Sequence, residues 1–232
     1  MHTKQLFSLQ RIALFIVLLF HISGAIGILF TPYRDWFVQN TPLHLTLMAA
    51  LLIITQPQKN TAFFLFLAIA SITGFGVEWI GINTGYLFGN YQYGKVLGAK
   101  YDGVPFLIGI NWFIITYCTG IIAQQLHNWS SKQLASMQAT VKPAVQTISF
   151  ITDGALLAAF FDFVLEPAAM KLGYWQWLDN GEIPFFNYTC WFIVSALLLT
   201  IFKWLPFEKN NPLAVHLFII QLLFFFLVRT FL

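Results

Sequence analysis

Seven apolar runs separated by short polar breaks divide the chain: residues 12–30, 43–54, 61–79, 104–124, 145–165, 186–204 and 212–231. Most approach the roughly 20 residues that a helix needs to cross about 30 Å of hydrocarbon. Helices that long satisfy their own backbone polar groups, which is the condition for lying in lipid. The composition agrees, with 58% hydrophobic and 9% charged residues, against about 25% charged in a soluble domain. The expectation is an all-α, polytopic integral membrane helix bundle. It forms a single transmembrane domain over residues 1–232, with about seven transmembrane helices. The count falls to six if the short second run, broken at Pro42, re-enters on the same side.

The first run is too long for a signal-peptide core and lacks a clear cleavage site, so it reads as a retained helix. With the N-terminus inside, the inner segments hold Lys4, Arg11, Lys59, Lys132, Lys142, Lys203 and Lys209, and the outer ones hold Arg34, Lys95, Lys100, Lys171 and Arg229. The bias favours that orientation, and the bacterial inner (cytoplasmic) membrane is the expected location. A net charge of +3 without a basic run excludes a nucleic-acid partner. Cys118 and Cys190 fall within apolar runs and read as packing residues. His21 and His216 read as buried helix-packing residues, and residues 127–142 as a hydrophilic connection.

The segment from Glu78 to Trp112 departs from the helical pattern. A carboxylate ends an apolar run, and Gly81, Gly85 and Gly89 follow among tyrosines. A second segment echoes it. Gly89-Asn-Tyr91-Gln-Tyr93 matches Gly173-Tyr-Trp175-Gln-Trp177. Val104-Pro105 matches Ile183-Pro184, and seven residues after each proline stands Trp112 or Trp191. This spacing predicts a parallel repeat of helix–loop–helix units, residues 61–124 and 145–204, with both loops on the outer side.

Acids within spans are functional candidates by default. Asp162 and Glu166 are four residues apart, about 40° around a helix, so they share a face. Glu78 ends its span at a similar depth, so one cavity can collect all three, with Asp153 on the opposite face. Carboxyl groups enclosed by hydrocarbon and by one another resist ionisation. Such groups can protonate an alkene, and aromatic faces can stabilise the resulting cation. No paired histidines suit a di-iron site, and no aspartate-rich pair suits a magnesium diphosphate, so no metal is expected.

At these residues the chain resembles the carotenoid biosynthesis protein family of acyclic-carotenoid 1,2-hydratases, of the γ-carotene/lycopene hydratase and bisanhydrobacterioruberin hydratase type. The resemblance is carried by Glu78, Gly81, Thr84, Gly85, Phe88, Gly89, Tyr91 and Tyr93. It continues through Val104-Pro105, Trp112, Asp162-x-x-x-Glu166-Pro167-Ala168, Trp175-x-Trp177, and Ile183-Pro184-x-x-Asn187-x-x-x-Trp191. It implies a cofactor-independent hydro-lyase that adds water to the terminal double bond of a lipophilic carotenoid such as lycopene. Its setting is the lipid bilayer, beside other enzymes of the carotenoid pathway.

Mapped onto the residues, Glu78, Asp162 and Glu166 become catalytic candidates. Tyr91, Tyr93, Trp112, Trp175, Trp177, Asn187 and Trp191 become substrate-binding candidates. A carotenoid cyclase begins with the same protonation but must exclude water; Asn111, Asn187, Gln92 and Gln176 lean towards a site that admits it. A proton-coupled carrier or a non-enzymatic pigment-binding protein is the remaining alternative.

Overall fold

The computed structural model describes residues 2–232, with side chains from residue 8 onward. Lys4, counted above on the inner side, has its side chain outside the described residues. Among the described residues eight helices and four very short strands follow in order. The helices are α1 (His2–Phe30), α2 (Arg34–Gln39), α3 (Thr41–Thr55), α4 (Thr61–Thr84), α5 (Leu107–Ser136), α6 (Pro143–Lys171), α7 (Phe185–Trp204) and α8 (Pro212–Phe231). Between α4 and α5 lie β1 (Tyr91–Tyr93), β2 (Lys100–Tyr101) and β3 (Val104–Pro105), and between α6 and α7 lies β4 (Trp175–Trp177).

Among the described residues six helices, all but α2 and α3, are long and apolar enough to cross a bilayer. The chain is an integral membrane helix bundle. The second expected run is α3, whose 15 residues span about 22 Å, short of the hydrocarbon. The short α2 completes that pass. Arg34 Nη2 donates to the Lys171 carbonyl at 2.7 Å at one end of the bundle. At the other end Gln56 Nε2 donates to the Glu208 carbonyl at 2.8 Å. Residues 34–56 therefore join the same two ends as the long helices, with the break at Asn40 and Pro42 in the first turn of α3.

Two boundaries and the burial of one histidine differ from expectation. Much of the hydrophilic connection is helix, because α5 runs on to Ser136 with no glycine or proline to stop it. Val104-Pro105 is strand, and α5 starts only at Leu107. His216 is exposed, its Nδ1 bonded one turn back to the Pro212 carbonyl; His21 is buried as expected.

The most enclosed helix is α5, with 72% of its spanning window buried against 28% for α1 and for α4. It is the axis on which α3, α4, α6, α7 and α8 pack. At the Gln56 end, Phe63, Phe66, Phe113, Phe202 and Phe207 interlock edge to face around Tyr117. Five of the chain's 26 phenylalanines thus serve internal packing. Asn211 Nδ2 reaches the Leu52 carbonyl, Thr55 Oγ1 and Tyr117 Oη there, and Tyr117 donates to Gln56 Oε1.

Helix ends set the other face. A left-handed Gly85 (φ 71°) terminates α4, its N–H donating to the Gly81 carbonyl, as C-terminal glycines do. Pro167 lacks the N–H that would serve the Phe163 carbonyl within α6, and Arg229 Nη1 from α8 donates to that carbonyl at 3.3 Å.

Candidate functional site

The loops after α4 and α6 meet as a two-stranded antiparallel ribbon. β1 pairs with β4 in the register Tyr91↔Trp177, Gln92↔Gln176, Tyr93↔Trp175. Side chains alternate across a strand, so Tyr91, Tyr93, Trp175 and Trp177 face inward and are buried while Gln92 and Gln176 are exposed. The two glutamines are outside the pocket, which corrects the expectation that they help to wet it. The ribbon closes tightly at Gly94, whose N–H donates to the Tyr174 carbonyl; a Cβ there would stand 2.0 Å from the Gly173 carbonyl oxygen.

Beneath this roof are the acids. Glu78 Oε2 accepts from Tyr91 Oη at 2.5 Å and Tyr93 Oη at 2.7 Å, and Oε1 accepts from Trp112 Nε1 at 3.0 Å. Glu166 Oε2 accepts from Trp175 Nε1 and Trp177 Nε1, both at 2.8 Å. Asn187 Nδ2, in the first turn of α7, bridges Glu166 Oε1 at 3.2 Å and Asp162 Oδ2 at 2.6 Å. β1 therefore supplies two donors to the acid of α4, and β4 two donors to the acid of α6. Burial, and then the Glu78 carboxyl beside them, pushes the Tyr91 and Tyr93 phenols well above their ordinary value, so both remain donors.

One acid is treated differently. Asp162 Oδ1 is buried and has no partner among the described residues. A buried polar atom without a partner costs about 1–3 kcal/mol, and it marks the place where a ligand or water can bond.

All ten residues singled out in the sequence line one small cavity of about 20 Å³: Glu78, Asp162, Glu166, Tyr91, Tyr93, Trp112, Trp175, Trp177, Asn187 and Trp191. Phe88, Ile108 and Asn111 complete the wall. Phe88 was visible only as part of the glycine-aromatic motif. Ile108 carried no signal, being one apolar residue in an apolar run. Asp153 is elsewhere, accepting from Ser149 Oγ one turn back. Trp112 and Trp191 stack across α5 and α7, and Gly74 on α4 makes room, since a Cβ there would stand 2.3 Å from Trp112 Cβ. Both cysteines are buried and free; Cys190 Sγ accepts the Phe88 N–H at 3.3 Å.

Comparison with known proteins bears on what such a pocket serves. The model of the family described as "Carotenoid biosynthesis protein" matches residues 40–232, a stretch that holds every pocket residue. The chain belongs to that family. A relative of this carotenoid biosynthesis protein is the bisanhydrobacterioruberin hydratase of Haloarcula japonica, 24% identical over 141 residues. The match covers 59% of this chain and 44% of the relative, so this chain aligns with less than half of that protein. No solved structure matches.

Proposed function

We propose that this carotenoid biosynthesis protein adds water across the terminal 1,2 double bond of an acyclic carotenoid, giving a tertiary alcohol. The observation that carries the reading is the bare Oδ1 of Asp162 inside a pocket otherwise saturated with donors. Glu78 and Glu166 each accept three hydrogen bonds, the pattern of an acceptor-only carboxylate. Asp162 accepts one and has an open direction for a proton of its own.

Asp162 in its acid form gives that proton to C2 of the alkene, and the C2–H bond forms from the π electrons. The positive charge falls on C1, a tertiary centre. Indole and phenol faces of the roof and of the Trp112–Trp191 pair surround that position, each worth about 0.5–2 kcal/mol to a cation. A water molecule then bonds to C1 through its oxygen and releases a proton to the carboxylate cluster, which restores Asp162. The proton count closes, and no electron is exchanged with an outside partner. A positioned acid contributes about 10²–10⁴-fold.

The polar lining supports hydration over cyclisation. About 20 Å³ exceeds the roughly 10–15 Å³ that one water requires, and Glu78, Glu166, Asn187 and Asp162 supply its polar partners. Ring closure would instead fold the substrate back upon itself in that space and expel water. The Haloarcula japonica relative, a hydratase by name, adds support.

The test is expression in a lycopene-producing host with pigments read by mass. Wild type is expected to add one water per reacted end, and Asp162→Asn to lower that yield about 100-fold or more. An isomer of unchanged mass with a shifted spectrum, or unchanged pigment, would overturn the reading.

A further inference from the structure

A second and larger cavity, about 200 Å³, adjoins the acid pocket. Three residues line both spaces: Ile108, Asn111 and Trp175. Trp175 marks the boundary, because its Nε1 is bonded to Glu166 while its ring helps to wall the larger cavity. The remaining wall comes mostly from α1, α2, α3 and α8, with Leu97, Leu107, Leu165 and Tyr174 beside them, and is mainly aliphatic and aromatic.

The far end opens sideways. Phe20 on α1, Trp36 on α2 and Leu43 on α3 line the cavity and are 40%, 61% and 65% exposed. Phe20 is ten residues before the end of α1, about 15 Å along the axis, close to the middle of a hydrocarbon layer about 30 Å thick. Leu43 is at the loop end of α3. The mouth thus extends from mid-bilayer towards the ribbon, and the medium that it meets is lipid.

Size limits the occupant. The cavity is smaller than the roughly 300–1,000 Å³ that encloses a drug-sized ligand, so a long chain can place only one end inside. An apolar wall, a mouth in lipid and an inner end at a carboxylate cluster together suit a long hydrocarbon with a reactive tip. We infer that this cavity is the binding site for one end of a long acyclic polyene, which enters between α1 and α3 from the bilayer and reaches Asp162 past Trp175. The position of the tip rests on the hydration reading; the binding site itself does not.

Lycopene binding to the full chain in lipid nanodiscs, read as induced circular dichroism of the polyene, tests this. Gly24 lines the cavity, and a Cβ there meets only Phe224 at 3.5 Å, so Gly24→Leu adds bulk inside without a backbone clash. Leu43→Trp obstructs the exposed rim and serves if Gly24→Leu does not fold. Ile72→Trp on α4, at a residue that is 72% exposed, is the control. The expected result is binding at least tenfold weaker in the first two variants and unchanged in the control.

Wild-type-like binding in folded Gly24→Leu or Leu43→Trp overturns the inference. So does a wild-type protein that gives no induced signal, the outcome if an ordinary acyl chain fills the cavity. Wild type that binds lycopene yet forms no hydrated product removes the hydration reading and leaves this one standing. Hydration that persists undiminished in both plugged variants does the reverse.

Discussion

The indole rings of Trp112 and Trp191 lie parallel, with centroids 3.9 Å apart and planes 9° apart. Only Trp112 hydrogen-bonds an acid, through Nε1 to Glu78. Trp112→Phe keeps an aromatic ring in the stack and removes that donor. Glu78 then keeps its two tyrosines. The expected outcome is a fold of unchanged helicity with product formation reduced about 10-fold, the effect of losing one hydrogen bond to a charged group. Pigment mass analysis at matched protein level checks it; undiminished product would show that Trp112 acts through its ring alone.

Asn187 joins Asp162 and Glu166 through one nitrogen. Asn187→Leu is close in size but leaves both oxygens without that donor. The expected loss is about 1–3 kcal/mol in unfolding free energy, together with a fall in hydrated product larger than that for Trp112→Phe. Thermal unfolding in detergent and product mass give the two readings. A stable, fully active variant would remove Asn187 from the site.

Gly94 admits the second loop at a distance that no side chain tolerates. Gly94→Ala should separate β1 from β4 at the Tyr93↔Trp175 end, at a cost of about 1–3 kcal/mol. Trp175 fluorescence should become more solvent-exposed. By contrast Asn211→Ala, at the opposite end of the bundle, should cost stability through its four lost hydrogen bonds while leaving activity per folded molecule unchanged.

Buried phenols make the fold sensitive to alkali. Burial and then the Glu78 carboxyl hold Tyr91 and Tyr93 well above the ordinary phenol range, and burial pushes Tyr174 up to about 12. In the unfolded chain phenols ionise near pH 10. Above about that pH the unfolded state has lost protons that the folded state retains, so stability is flat below it and falls as pH rises. Each such phenol adds up to about 1.4 kcal/mol per pH unit. Tyr174→Phe should flatten the alkaline limb by one phenol's share; an unchanged slope in pH-dependent unfolding would contradict the assignment.

Most of the pocket was legible because its members are chemically conspicuous. Acids in apolar runs, tryptophans at matched spacing after a proline, and tyrosines two apart all stand out from a lipid-facing background. The pairing of β1 with β4 was not legible, since three-residue strands carry too little alternation to distinguish from a loop. Their partners are also more than eighty residues apart, with nothing local to set a register. Helix ends were read short or long by several residues wherever an apolar run stopped before its hydrogen bonding did, as at Ser136 and Thr84. The lipid-facing cavity had no sequence signature, because its wall gathers scattered residues from six helices and two loops.

That cavity's modest volume has a consequence for any substrate whose two tips are alike. Both cannot be seated at once, so a molecule modified at one tip must let go, reorient within the membrane and return by the other. Turnover is then distributive: singly altered pigment rises first and declines later. The final ratio of singly to doubly altered product depends on how long each molecule lingers nearby.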